Sequence, residues 1–201
     1  MESQTYLYFA YGSNLNPERM RRRIPDARPV GRATLRGWRL VERLYADIEK
    51  ARGGRVEGVL YLVTPTELRR LDAYEGYPNV YNCVKVIVHA ELMGNRATRY
   101  RIPAFTYAMT PATRKARDGK PYPADYRIVC ATGARYWGLP NAFGTVAPKK
   151  KEHRRWFTLG GNYPTSCPPT NYGTSAEAMS DGKDASNFAR FHNDDSAIKN
   201  I

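Results

Sequence analysis

The sequence predicts a mixed α+β domain followed by a C-terminal stretch of different character. Three observations support this reading. Aromatic and apolar runs of strand length recur between turn-forming residues, at positions 6–10, 56–63, 81–88 and 105–109. Two of the intervals carry helix-start signals, Asn16-Pro17 and Thr64-Pro65-Thr66-Glu67. The composition then changes near residue 155. With 201 residues, the chain amounts to one domain of about 150 residues plus an appendage, enough to bury a core without disulfides or a metal.

The first strand, 6–10, has the composition of a buried strand and is broken by Tyr11-Gly12-Ser13-Asn14-Leu15. Asn16 is placed to cap a helix whose first residue, Pro17, has no N–H to leave unsatisfied. In a strand, tight loop and helix start, loop amides and the helix dipole can converge on an anion. Taken alone, the loop reads first as a structural turn. In the second strand, 56–63, Gly58 points to a bulge or to the close approach of another backbone. Thr64 and Glu67 have capping-box spacing, so a helix runs over 65–74 and ends at Gly76, with Pro78 barring continuation. Strands follow at 81–88 and 105–109. The Thr-Pro and Asp-Gly-Lys-Pro segments after Met109 read as loops, and 125–136 reads as a helix that stops near Gly138, before Pro140. Tyr107 and Tyr126 are open to two roles, lining a cleft or packing with a satisfied hydroxyl.

Within the helix at 65–74, Leu68 and Leu71 define the apolar stripe. Glu75 lies four residues beyond Leu71 and seven beyond Leu68, and so continues that stripe inward. Burial and the negative end of the helix dipole would both raise its pKa, as a general acid or base requires. The other orientation, with a frayed helix end turning Glu75 to solvent, is equally open from periodicity.

The charge is lopsided. Of 32 Lys and Arg against 19 Asp and Glu, residues 1–155 hold 29 against 14, and residues 156–201 hold 3 against 5. The last part is rich in Gly, Pro, Ser, Thr and Asn and lacks an apolar period, so it reads as an irregular tail. The domain assignment is therefore 1–155, with a tail at 156–201. The basic field suits anionic ligands. Basic clusters lie at Arg19 with Arg21–Arg23 and at Lys149–Lys151 with Arg154 and Arg155. No nucleic-acid-binding module accompanies them, so a solvated basic surface is the preferred reading. Cys83, Cys130 and Cys167, like His89, His153 and His192, are scattered without metal-ligand spacing, and no metal or cofactor is expected. No apolar run approaches the ~20 residues of a spanning helix, and mean hydropathy is −0.63. No basic region precedes an apolar stretch at the N-terminus, so a cytoplasmic protein with reduced thiols is expected.

YFAYGSNL, ADIEKARGGRVEG, EGVLYLV, LDAYEGYPNVY and PADYRIVCATGARYWGLP, in this order over about 6–140, resemble the gamma-glutamylcyclotransferase-like family, also termed AIG2-like. The resemblance implies a small mixed β-barrel with flanking helices. It also implies release of 5-oxoproline from a γ-glutamyl compound, as the substrate's α-amine attacks its own γ-carbonyl and an amine or amino acid leaves. Carried over by position, Glu75 is the acid/base. The backbone of Tyr11, Gly12, Ser13, Asn14 and Leu15 holds the γ-glutamyl end, and Tyr81 borders the pocket. The partner so implied is a small-molecule γ-glutamyl substrate, and the chemistry needs no cofactor. YGSNL resembles the branch that acts on γ-glutamyl amino acids, whereas LDAYEGYPNVY resembles the bacterial and γ-glutamylamine branch, so the leaving group stays open. A binding module that keeps the pocket without turnover and a basic protein associated with nucleic acid are the alternative readings; oligomeric state is not legible in the residues.

Overall fold

In the computed structural model, residues 4–140 and Phe143 are described. The expected boundary near residue 155, the tail at 156–201 and the basic cluster at 149–155 lie outside the described residues. Five strands, β1 (Tyr6–Ala10), β2 (Arg28–Arg43), β3 (Tyr45–Val63), β4 (Tyr81–Leu92) and β5 (Asn95–Met109), form a closed barrel in the order β1-β3-β2-β4-β5. Neighbours along this order pair antiparallel, and the barrel closes through a parallel contact of β5 with β1 at Tyr8 and Phe105. Closure removes the open edges that an isolated sheet would expose. Phe9, Leu35, Ile48, Val59, Leu60 and Val88 are fully buried. Removing each such side chain from water contributes about 1.5–3 kcal/mol.

The strand expected at 56–63 is the second half of a longer one. Its first half pairs with β2 in a ribbon of polar composition, in which Arg39 faces Glu49 and Trp38 faces Lys50. The Lys50 ammonium sits 4.3 Å from the Trp38 ring centroid. Beyond the buried Ala46 and Ile48, cross-strand pairs of this kind stabilise the ribbon, and two apolar positions are too few for patterning to reveal it. Of the two meanings open for Gly58, close approach is the observed one: a Cβ there would lie 2.3 Å from the Ala10 carbonyl oxygen. The irregularities of register in β2–β3 fall instead at Pro29/Gly31 and Arg36/Trp38.

Helix α1 (Pro17–Arg23) starts as expected, with the Asn16 side chain accepting hydrogen bonds from the Glu18 and Arg19 amides. Helix α2 (Pro65–Glu75) has the full capping box at Thr64 and Glu67 and ends on a left-handed Gly76. The segment after Met109 corrects the sequence reading of a loop. Thr110 caps a short helix, α3 (Pro111–Arg117), by accepting from the Thr113 amide, with Pro111 in the first turn. This helix buries no residue fully, so it has no apolar stripe for periodicity to detect. Helix α4 (Ala124–Tyr136) packs Cys130, Ala131, Gly133 and Ala134 inward. A Cβ on Gly133 would sit 2.5 Å from the Asn16 nitrogen and the Leu15 carbonyl carbon. The helix therefore rests directly on the loop that follows β1.

Candidate active site

The residues after β1 fold into one 3-10 turn, Ser13–Leu15. The Leu15 amide donates to the Gly12 carbonyl (3.0 Å), and that of Asn16 to the Ser13 carbonyl (3.1 Å). The amides of Ser13 and Asn14, which precede the first bond of the turn, have no backbone acceptor among the described residues. Below, the Trp137 indole donates to the Leu15 carbonyl at 2.8 Å. The turn is thus fixed by its own bonds and by α4, and it leaves the Ser13 and Asn14 amides without a backbone partner among the described residues.

Glu75 is the last residue of α2 and meets this turn. Leu68 and Leu71 are buried on the same stripe, and the Glu75 side chain retains 16% of its exposure. The inward orientation is the one adopted. Its Oε1 accepts from Asn14 Nδ2 at 3.1 Å and from Arg23 Nη1 at 3.2 Å. The same Arg23 nitrogen donates to Asn14 Oδ1 at 2.8 Å, and Asn14 Nδ2 also donates to the Tyr8 hydroxyl at 2.7 Å. Asn14, Arg23 and Glu75 therefore form a closed triangle that anchors Oε1, while Oε2 makes no hydrogen bond among the described residues. Burial raises the Glu75 pKa above the ordinary glutamate value, and Arg23, Asn14 and Arg19 oppose that rise in part.

The facing wall comes from β3 and β4. The Tyr81 hydroxyl donates to the Ala46 carbonyl at 2.9 Å, and the Ala46 amide donates to the Tyr126 hydroxyl at 3.0 Å. A Cβ at Gly12 would lie 3.1 Å from both the Ala46 Cβ and the Tyr126 oxygen, so wall and turn touch. The hydroxyls of Tyr8, Tyr11 and Tyr81 are all pushed above the usual tyrosine range, first by burial, with the Glu75 carboxylate adding to it. Ala46 itself is fixed by its neighbour. Asp47, fully buried, accepts from the Met109 amide (2.8 Å), Arg43 Nη1 (2.7 Å) and Arg114 Nε (2.8 Å).

Residues 8–127 match the family model described as gamma-glutamyl cyclotransferase, AIG2-like. The chain belongs to this family. It is an enzyme of the cyclotransferase type. It is similar to a mouse gamma-glutamylcyclotransferase, 30% identical over 154 residues that cover 71% of this chain and 77% of the relative. Its fold is shared with a crystal structure of an uncharacterized human protein, at a TM-score of 0.60 and 25% identity over 77% of this chain and 98% of that one. A structure titled gamma-glutamyl cyclotransferase superposes at a TM-score of 0.57 with 24% identity, over 74% of this chain and 92% of that one.

Within this cyclotransferase family member, the expected site residues Gly12, Ser13, Asn14 and Glu75 come together directly. Tyr11 and Tyr81 lie buried beside them, Tyr11 donating to the Tyr107 carbonyl at 2.6 Å. The Leu15 amide is consumed inside the turn. Tyr107 and Tyr126 prove to be packed residues with satisfied hydroxyls, the former donating to Asp72 at 2.7 Å. Three participants escape sequence reasoning. Arg23 reads there as part of a basic surface cluster, although it sits one turn from the buried Met20, a spacing that puts it on the inner face of α1. Tyr8 is indistinguishable from other core aromatics. Asp47, between the buried Ala46 and Ile48, breaks alternation in a way that only its arginine partners explain. Burial pushes the thiols of Cys83 and Cys130 up to about 12, which keeps both protonated and poor nucleophiles. Among the described residues, no group of three or more His, Cys, Asp or Glu side chains could hold a metal ion, and no helix is long and apolar enough to cross a membrane.

Proposed function

We propose that this cyclotransferase converts a γ-glutamyl compound into 5-oxoproline, with Glu75 as the proton-transfer group. The substrate's α-amine, once deprotonated, attacks the γ-carbonyl carbon, and the new C–N bond closes a five-membered ring. The proton from the nitrogen passes to Glu75 Oε2, the oxygen that the Asn14–Arg23 triangle leaves open. Collapse of the tetrahedral centre breaks the bond to the departing nitrogen, and Glu75 returns the proton to it. The amides of Ser13 and Asn14 supply hydrogen bonds to the γ-glutamyl end, where charge develops on the carbonyl oxygen. Tyr11 and Tyr81 shape the pocket from positions fixed by their own hydroxyl bonds. Because both reacting groups belong to one molecule, holding the substrate curled supplies much of the acceleration.

The observation that carries this reading is the asymmetric carboxylate of Glu75, anchored through one oxygen and unengaged at the other, against a turn whose Ser13 and Asn14 amides have no backbone partner among the described residues. The test is 5-oxoproline release from γ-glutamyl amino acids and γ-glutamylamines, with Glu75→Gln as comparison. General acid–base catalysis contributes roughly 10²–10⁴-fold, so the variant should lose at least about 100-fold of the activity. Wild-type protein that releases no product from any of these compounds overturns the proposal.

A further inference from the structure

Tyr107 bonds to both halves of the site. It lies in β5, paired with Cys83 of β4, and its ring meets that of Tyr8 edge-on at a centroid distance of 5.8 Å. Its hydroxyl donates to Asp72 Oδ1 at 2.7 Å, and its carbonyl accepts from the Tyr11 hydroxyl at 2.6 Å. Asp72 stands three residues before Glu75 on α2, a spacing that puts both on one helix face. Tyr11 immediately precedes Gly12 and the turn. One barrel residue thus reaches the helix that carries the carboxylate and the loop that carries the amides.

The last turn of α2 depends on such a tie. The residues that α2 buries, Glu67, Leu68 and Leu71, all precede Asp72, so packing fixes the body of the helix more firmly than its end. In the last turn Tyr74 is exposed, and Glu75 reaches outward from the helix to Asn14 and Arg23. Asp72 ties this turn to the barrel. Burial raises its carboxyl above the ordinary aspartate range, and the Tyr107 hydroxyl offsets part of that rise. A buried hydroxyl donating to a carboxylate is a strong bond with a short, fixed separation.

We infer that Tyr107, acting through Asp72, is a positioning residue that sets the separation between Glu75 and the Ser13 and Asn14 amides. The inference rests on the cyclotransferase reading above. Without the hydroxyl, the end of α2 draws away from the turn, and Glu75 loses its alignment with the substrate nitrogen. The turn keeps its own bonds and its support from α4, so substrate binding survives while proton transfer slows.

The test measures 5-oxoproline release from γ-glutamyl-alanine and γ-glutamyl-ethylamine. Tyr107→Phe keeps the ring and the carbonyl and removes the bond to Asp72. Thr106→Val is the comparison, because it deletes a neighbouring buried hydroxyl of β5 whose bond, to the Phe9 carbonyl at 2.8 Å, stays within the barrel. Asp72→Asn retains an oxygen that can accept from Tyr107, and Asp72→Ala does not. In Tyr107→Phe and Asp72→Ala, kcat should fall at least about 10-fold with KM little changed, the pattern of a misplaced reacting group. Asp72→Asn and Thr106→Val should keep kcat near that of the wild type, although Thr106→Val lowers the thermal midpoint by leaving a buried carbonyl unpaired. A folded Tyr107→Phe with wild-type kcat overturns the inference. So does an equal loss in Thr106→Val, the mark of a general structural role, or an equal loss in Asp72→Asn, which would make the charge and not the bond decisive. Should Tyr107→Phe fail to fold, the two Asp72 variants decide by the same comparison. In all these cases the cyclotransferase reading survives. Absence of 5-oxoproline from both substrates with wild-type protein removes that reading, and this inference with it.

Discussion

Arg23 and Glu75 are 52 positions apart in the chain, and the guanidinium of one lies 3.2 Å from the carboxylate of the other. Arg23 thereby opposes the effect of burial on a carboxylate that must be ionised to accept a proton. Replacing it with Gln removes a cause that lowers the Glu75 pKa. The acid limb of kcat/KM, which reports the free enzyme, should move to higher pH. Arg23→Lys should move it less. A limb that stays in place would show that Arg23 does not tune Glu75.

Glu75→Gln should trade activity for stability. Burial raises the folded-state pKa of Glu75 above its ordinary value of 4.5. A raised carboxyl favours the protonated form in the folded protein, so its favourable contribution is present below about pH 4.5 and is lost as pH climbs through the raised value. At neutral pH the charged side chain is a burden that Gln does not carry. The thermal midpoint of the variant should exceed that of the wild type at pH 7, and the gap should shrink as pH falls towards 4. A variant less stable than wild type at pH 7 would contradict this.

Gly133→Ala should damage activity through the turn. The added methyl would meet backbone atoms of Leu15 and Asn16 at 2.5 Å, a separation the backbone must relieve by moving. The Ser13 and Asn14 amides move with it, and misplacement by a fraction of an ångström is enough to weaken oriented catalysis. In steady-state assays kcat should fall at least about 10-fold, on the order of what displaced positioning groups cost. Gly94→Ala, in the turn between β4 and β5, serves as the comparison. Its positive φ strains the backbone while its added methyl meets no atom, so it should lower stability and leave kcat unchanged.

Asp47→Ala should be among the most disruptive single changes. It would leave Arg43 without one of its partners, Arg114 without its carboxylate and the Met109 amide without its acceptor. Breaking a buried pair of this kind costs about 3–5 kcal/mol, measurable by denaturant unfolding. Leu71→Ala, at the fully buried centre of α2, should cost a similar ~2–5 kcal/mol through cavity formation alone. Asp47→Asn separates the two causes: it keeps the volume and removes the charge, and it should still cost more than about 1 kcal/mol because Arg114 loses its counter-ion and Arg43 one of three.

Much of this molecule is legible in its residues. The capping box at Thr64 and Glu67, the proline starts at Pro17 and Pro65 and the stop at Gly76 are local signals, and each forms as expected. They depend on backbone groups within a few residues, so local sequence decides them. Helix α3 has the same kind of start at Thr110-Pro111 and still reads as a loop, because its inner face is Thr113, Arg114 and Arg117 and carries no apolar stripe. The first half of β3 escapes for the parallel reason: its pairing partners lie in β2, and beyond Ala46 and Ile48 polar cross-strand pairs replace hydrophobic alternation there.

For the site, sequence alone placed Glu75 in line with the apolar stripe of α2 and a tight loop after β1. Whether that carboxylate faced the turn or the solvent was a matter for tertiary structure. Barrel closure brings β1, α1 and α2 to one end, so Asn14 and Arg23 reach Glu75 across 61 and 52 positions. Periodicity records how a residue sits on its own element; it holds no information about which charge waits on the next one.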